Sequence, residues 1–142
     1  MKRIFLFTII IFGSLLIYSC GGNAEKKEEA TVEKAVYGEA KAEVYYFHGD
    51  RRCATCNAIE ELAKNFVAET YKENSEVKFF AINFDDKGNQ EIAEKFGAQW
   101  SSLFIASGEQ KLDLTVEAFQ YVKADPEYLK GEMKDIIDGF LN

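Results

Sequence analysis

An apolar run, Tyr45-Tyr46-Phe47-His48, stops at Gly49-Asp50, and Arg51-Arg52-Cys53-Ala54-Thr55-Cys56 lead straight into a helical pattern. From Ile59 the apolar residues fall at Ile59, Leu62, Ala63, Phe66 and Val67. These are positions i, i+3, i+4, i+7 and i+8, one face of an α-helix. The aromatic and β-branched run before the glycine has the character of a strand. The chain therefore passes from strand to helix across a Cys-x-x-Cys, and that placement decides what the two thiols can do.

The first backbone N–H groups of a helix lack partners, and the positive end of its dipole favours an anion. A thiolate at that point is stabilised, and Arg51 and Arg52 are expected to stabilise it further. Cys53 precedes Cys56 by one turn, so its sulfur is expected to face outward with Cys56 tucked behind it. A thiolate that attacks and a second thiol that resolves the mixed disulfide make a complete exchange mechanism. Structural zinc normally takes four ligands. The chain has three cysteines and one histidine, and Cys20 is needed elsewhere. The ligand set thus favours redox chemistry at Cys53 and Cys56 over a structural metal.

Lys2-Arg3 precede an uncharged run from Ile4 to Tyr18. That length suits the core of a secretory signal better than a membrane span of about 20 residues. The run closes on Leu16-Ile17-Tyr18-Ser19-Cys20-Gly21-Gly22, which resembles the bacterial lipoprotein signal. The resemblance implies cleavage after residue 19 and a lipid on Cys20. An uncleaved anchor or ordinary secretion are the other readings, and all three place the domain outside the cytoplasm, where disulfides persist. Losing the two basic residues of 1–19 takes the formal charge from −7 to −9. Such a surface excludes nucleic acid as a partner and gives no attraction to anionic headgroups, so membrane attachment falls to the acyl chains.

The resemblance implies a signal peptide over residues 1–19 and a lipidated cysteine with a flexible charged tether over 20–41, leaving 42–142 as the expected folded domain. Gly21-Gly22-Asn23 and the Glu/Lys-dense Ala24–Glu29 bury too little apolar area to offset their ordering entropy, though Ala24–Ala35 has helical Glu/Lys pairs. In the domain the pattern predicts a central strand over Glu43–His48, a helix from Ala54 to about Tyr71, and a second, parallel strand over Val77–Phe84. The helix's outer face includes a Glu60/Lys64 pair at i,i+4. Gln90–Phe96 forms a short helix that Asn89 can cap and Gly97 follows. A loop through Trp100 enters a third strand, Ser107–Gln110 turns, and Lys111–Val116 returns antiparallel. Glu117–Ala124 fits either a strand or an irregular segment. Asp125-Pro126 opens a final helix to about Leu141, with Tyr128, Leu129, Met133, Ile136, Ile137 and Phe140 available to the core.

Strand, Cys-x-x-Cys helix, strand, helix, hairpin and terminal helix resemble the thioredoxin fold over roughly Ala42–Asn142. This implies an α/β class: a three-layer fold with a mixed central sheet flanked by helices and the Cys-x-x-Cys at the start of the first domain helix. More narrowly, Phe47–Cys56 together with Trp100-Ser101-Ser102-Leu103 is similar to bacterial thioredoxin-like proteins labelled nitrophenyl compound nitroreductase subunit, ArsF family. No Gly-x-Gly-x-x-Gly or basic cluster supports a flavin or nicotinamide, so no cofactor is expected. Set against thioredoxin, Arg52 replaces a Trp, Ala54-Thr55 replace Gly-Pro, and Phe47 falls where a buried acid serves the resolving cysteine. The only proline is Pro126, so Ser102, or Ser101 if the loop shifts by one, stands where the family has a cis-proline. A non-proline cis bond costs about 2.5–4 kcal/mol, so a trans bond or a rearranged loop is expected. Family behaviour implies weaker substrate clamping and possible admission of a metal ion.

The expected site is Cys53 as nucleophile, Cys56 as resolving thiol, and Arg51 and Arg52 as groups that lower the Cys53 pKa or bind an anionic substrate. Trp100 forms either a groove wall or part of the core. Ser101 and Ser102 present backbone to an extended peptide or merely open a strand. His48 satisfies a local backbone group, and Glu60 and Glu61 belong to a solvated helix face. The function expected is a monomeric, membrane-anchored thiol–disulfide oxidoreductase acting on a protein or small-molecule disulfide or dithiol. The rivals are a dithiol module for Cu(I) or As(III), to which thiolates are suited, and a redox partner subunit of a reductase.

Overall fold

The computed structural model describes residues 37–142. The signal peptide, Cys20 and nearly all of the tether, with its Ala24–Ala35 segment, lie outside the described residues. The elements are β1 (Ala42–His48), α1 (Ala54–Thr70), β2 (Val77–Asn83), a 3₁₀ turn (Lys87–Asn89), α2 (Gln90–Phe96), β3 (Ser102–Ser107), β4 (Gln110–Asp113), α3 (Thr115–Tyr121) and α4 (Pro126–Leu141).

One sheet runs in the order β2-β1-β3-β4. β1 is parallel to β2, with Phe47 opposite Ile82, and antiparallel to β3, with Phe47 opposite Ser102. β3 and β4 form an antiparallel hairpin. Because successive strand side chains alternate in direction, β1 supplies two cores. Ala42, Val44 and Tyr46 join a cluster with Ile59 and Phe66 of α1, Ala118 of α3, and Leu129, Met133 and Ile137 of α4. Tyr45 and Phe47 join the other, with Ile82, Phe104, and Ala93 and Phe96 of α2. The sheet is thus covered on both faces, which is why β1 lacks the polar alternation of a half-solvated strand.

The domain's contacts reach back past Ala42 into the stretch assigned to the tether. Tyr37 packs edge-on against Phe80 at 5.1 Å, and Ala40 is buried. Buried Glu43 accepts N–H bonds from Gly38, Glu39 and Ala40 and a hydrogen bond from the Tyr45 hydroxyl.

Four expectations are corrected. Glu117–Ala124 is neither strand nor irregular for most of its length, because it continues α3. Leu114, Ala118 and Val122 recur every four residues and all enter the core, and Asp113 accepts the Thr115 N–H at the helix start. The same helix ends β4 at Asp113 rather than Val116. Tyr128 does not face the core: it is 44% exposed and packs on Tyr121 at 4.4 Å. Asn89 precedes α2, but its side chain bonds the Asn83 carbonyl and makes no cap. Gly97 closes α2 at φ 67°, the left-handed region glycine accepts without strain.

Candidate functional site

The loop between β1 and α1 is held from below. Gly49 lies so close to β2's exit that a Cβ there would meet Asp85 Oδ2 at 2.8 Å and the Phe84 ring at 3.0 Å. Asp85 also accepts the Asp50 N–H at 2.8 Å, and Asn83 donates to Asp50 Oδ1 at 2.8 Å. This anchoring delivers Arg51, Arg52 and Cys53 to the mouth of α1.

Cys53 is the N-cap of α1 in an extended conformation, and its sulfur accepts the Cys56 N–H at 3.0 Å. Its carbonyl accepts the first helical bond, from Asn57, at 3.0 Å. The first turn carries no acidic side chain, so no carboxylate there opposes a developing thiolate. Cys53 and Cys56 are joined by a disulfide, with Cα atoms 5.0 Å apart. Cys53 is exposed and Cys56 is 8% exposed, the arrangement expected for an attacking and a resolving sulfur.

The two arginines diverge. Arg51 is exposed and shares an open cleft of about 660 Å³ with Gly49, Phe84, Asp85, Trp100 and Ser101. Arg52 turns the other way and pairs with Glu60 on α1. Its guanidinium carbon lies 5.8 Å from the Tyr46 ring centroid. The expected Glu60/Lys64 pair is therefore replaced by one that reaches back to the active loop. Glu60 is half-buried and engaged rather than a solvated face residue.

Tyr46 was not legible as a site residue, since it sits in an apolar run. It is fully buried, and its hydroxyl donates to the Cys56 carbonyl at 2.8 Å. Burial pushes its pKa up, partly offset by the neighbouring Ser101 hydroxyl and the Arg52 charge. One signal was available: Tyr46 shares a strand face with Val44, the face that α1 covers.

Trp100 is 64% exposed, so its place is the cleft wall and not the core. Ser102 is buried, opens β3, and donates its hydroxyl to the Trp100 carbonyl at 2.8 Å. Among the described residues every peptide bond is trans, including the bond before Ser102. His48 Nδ1 donates to the Gly49 carbonyl at 3.1 Å, a local backbone role. Phe47 is fully buried among aromatic rings, so no carboxylate stands behind Cys56 at that position. The buried acid of β1, Glu43, lies at the strand's opposite end. Among the described residues no group of three or more His, Cys, Asp or Glu is placed to hold a metal ion.

A four-stranded mixed sheet covered on both faces, with a Cys-x-x-Cys disulfide at the mouth of the helix after its central parallel strand, decides the architecture. The fold is thioredoxin-like. No protein-family model matches the sequence, and no curated protein matches it. The narrower nitroreductase-subunit label accordingly finds no support in either comparison. Among solved structures the chain is similar to thioredoxin O2 from Arabidopsis thaliana in the oxidized state, with 19% identity and a TM-score of 0.48 over 68% of this chain and 75% of that one. It is also similar to Trxlp from Edwardsiella tarda EIB202, with 17% identity and a TM-score of 0.47 over 66% and 82%. A third similar structure is the zinc-bound form of human ERp44, at 17% identity and a TM-score of 0.41 over 61% of this chain and 27% of that one.

Proposed function

We propose that this chain is a thiol–disulfide oxidoreductase of the bacterial cell envelope, held to the membrane by a lipid on Cys20 and facing the periplasm. The observation that carries the chemistry is the asymmetry of the pair: an exposed sulfur capping α1, bonded to a buried one a turn later. The reduced form acts in two steps. The Cys53 thiolate attacks one sulfur of a partner disulfide, forming a mixed disulfide and expelling the other sulfur as a thiolate that takes up a proton. Cys56, deprotonated, then attacks the Cys53 sulfur, closes the internal disulfide and releases the second partner thiolate. Two electrons pass from the protein dithiol to the partner, and the same steps reversed oxidise a partner dithiol.

Support for the location comes from the sequence: the uncharged run to Tyr18 and the small residue before Cys20. The cleft under the loop that leads to Cys53, with Trp100 as one wall and Arg51 at its rim, suits an extended peptide bearing an apolar or acidic side chain near its cysteine. Ser101 lines the same cleft, and Ser102 follows it into β3. The likeness to nitroreductase subunits rests on Phe47–Cys56 and Trp100–Leu103 alone; co-purification with a flavoprotein is what would assign that partnership.

Reduced protein tests the reading directly. It should reduce the interchain disulfides of insulin, C53S should be inactive, and C56S should stop at a mixed disulfide on Cys53. Wild-type protein that leaves insulin intact and does not equilibrate with a glutathione redox buffer overturns it.

A further inference from the structure

The loop supplies two cations beside Cys53, yet only one is left to solvent. Arg52 is engaged by Glu60, which follows Cys56 by about one helical turn, and its guanidinium is stationed near the Tyr46 ring. Both side chains of the pair are only 25% exposed, so screening by solvent is reduced relative to a surface pair. The Arg52 Nε is buried and has no hydrogen-bond partner among the described residues, so this donor is desolvated without an acceptor. The charged groups around the pair are Glu61 and Lys64 on α1, and the neutral Tyr46 hydroxyl faces it from β1. Tyr46 bonds the Cys56 carbonyl through its hydroxyl, which ties the place where the guanidinium rests to the dithiol turn.

We infer that Glu60 is a positioning residue that sets the redox potential of the Cys53–Cys56 pair, by holding the Arg52 guanidinium on α1 and withholding its charge from the Cys53 thiolate. The inference rests on the dithiol reading above and deepens it. An arginine released from Glu60 is next in sequence to Cys53 and gains a charge-assisted bond by turning to the thiolate. That stabilises the reduced form and makes the pair more oxidising. With Glu60 in place the cation is already neutralised, the thiol is less acidic, and the pair is kept toward the reducing end.

The test compares the full chain as wild type, E60Q, R52Q, R52Q/E60Q and E60D. It reads the pH dependence of Cys53 alkylation and the dithiol–disulfide equilibrium against a glutathione redox buffer at a pH above the Cys53 pKa. E60Q is expected to lower the Cys53 pKa by about one unit and shift the equilibrium about tenfold toward the reduced protein, or about 30 mV. In the R52Q background the same change should move the equilibrium less than about threefold, or about 14 mV, because the effect passes through the arginine. E60D should restore most of the wild-type equilibrium. Equal shifts in both backgrounds, or none in either, overturn the assignment while the dithiol reading stands. A wild-type pair that fails to cycle in the buffer at all overturns the dithiol reading instead, and the two failures are distinct. Denaturant midpoints of the variants separate a redox shift from simple loss of folding.

Discussion

Gly49 has no side chain because two side chains of the β2 exit already occupy the space, through Asp85 Oδ2 and the Phe84 ring. G49A should therefore destabilise the domain by about 1–3 kcal/mol, the usual cost of forcing a methyl into packed surroundings, read as a lower urea midpoint. It should also slow thiol exchange, since Asp50 N–H and Cys53 hang from the same support. Tyr46 gives a second prediction at this scale. Y46F removes the bond to the Cys56 carbonyl and should cost about 1 kcal/mol, read in the same denaturation. The cysteines were legible in the sequence because strand character, Gly-Asp and helical periodicity bracket them within one stretch. Trp100 and Ser102 were legible as loop residues near the dithiol, but their burial was not: the first proves exposed and the second buried. The partners of Arg52 and Glu60 were illegible, because an i,i+4 rule weighs only neighbours on one helix and this pair joins a loop to a helix.

Among the elements, α4 shows how strongly local chemistry can speak. Asp125 accepts the Tyr128 N–H at 3.1 Å and Pro126 takes the first helical position, so the start was evident from two residues. D125A should cost about 1 kcal/mol through the lost cap, with most of the loss recovered in D125N; thermal unfolding of the two variants checks it. α3 shows the opposite. Phe119, Tyr121 and Val122 are its large apolar residues and alternate loosely, as in a strand, yet the stripe that enters the core is Leu114, Ala118 and Val122. A fully buried alanine is the hinge of that stripe, and a small residue carries little hydrophobic signal in a seven-residue helix. Thr115 completes the turn by accepting the Leu103 N–H at 3.1 Å, a long-range bond that propensity does not see. The parallel β1–β2 pairing followed from the intervening helix alone.

At the scale of the whole domain, buried tyrosines link stability to alkaline pH. Burial raises the pKa values of Tyr45, Tyr46 and Tyr71; the Glu43 carboxylate adds to the first and Asp138 to the last. A folded-state pKa above the unfolded value of about 10 leaves stability intact below that pH. As pH climbs past about 10 the unfolded chain ionises first, so the fold loses stability. Urea midpoints taken from about pH 8 to about pH 11 should fall only in the upper part of that range. The proposed anchor belongs to this scale too: C20S should abolish incorporation of a labelled fatty acid without altering the exchange chemistry of the domain in solution. The proposed chemistry turns on which sulfur meets the partner. Rates of mixed-disulfide formation with glutathione disulfide, compared between C56S and C53S, measure that choice directly. Cys53 in C56S is expected to react at least about a hundredfold faster than Cys56 in C53S, as exposure and thiolate stabilisation at the helix mouth require; equal rates, or a faster Cys56, would contradict the assignment of Cys53 as the attacking sulfur.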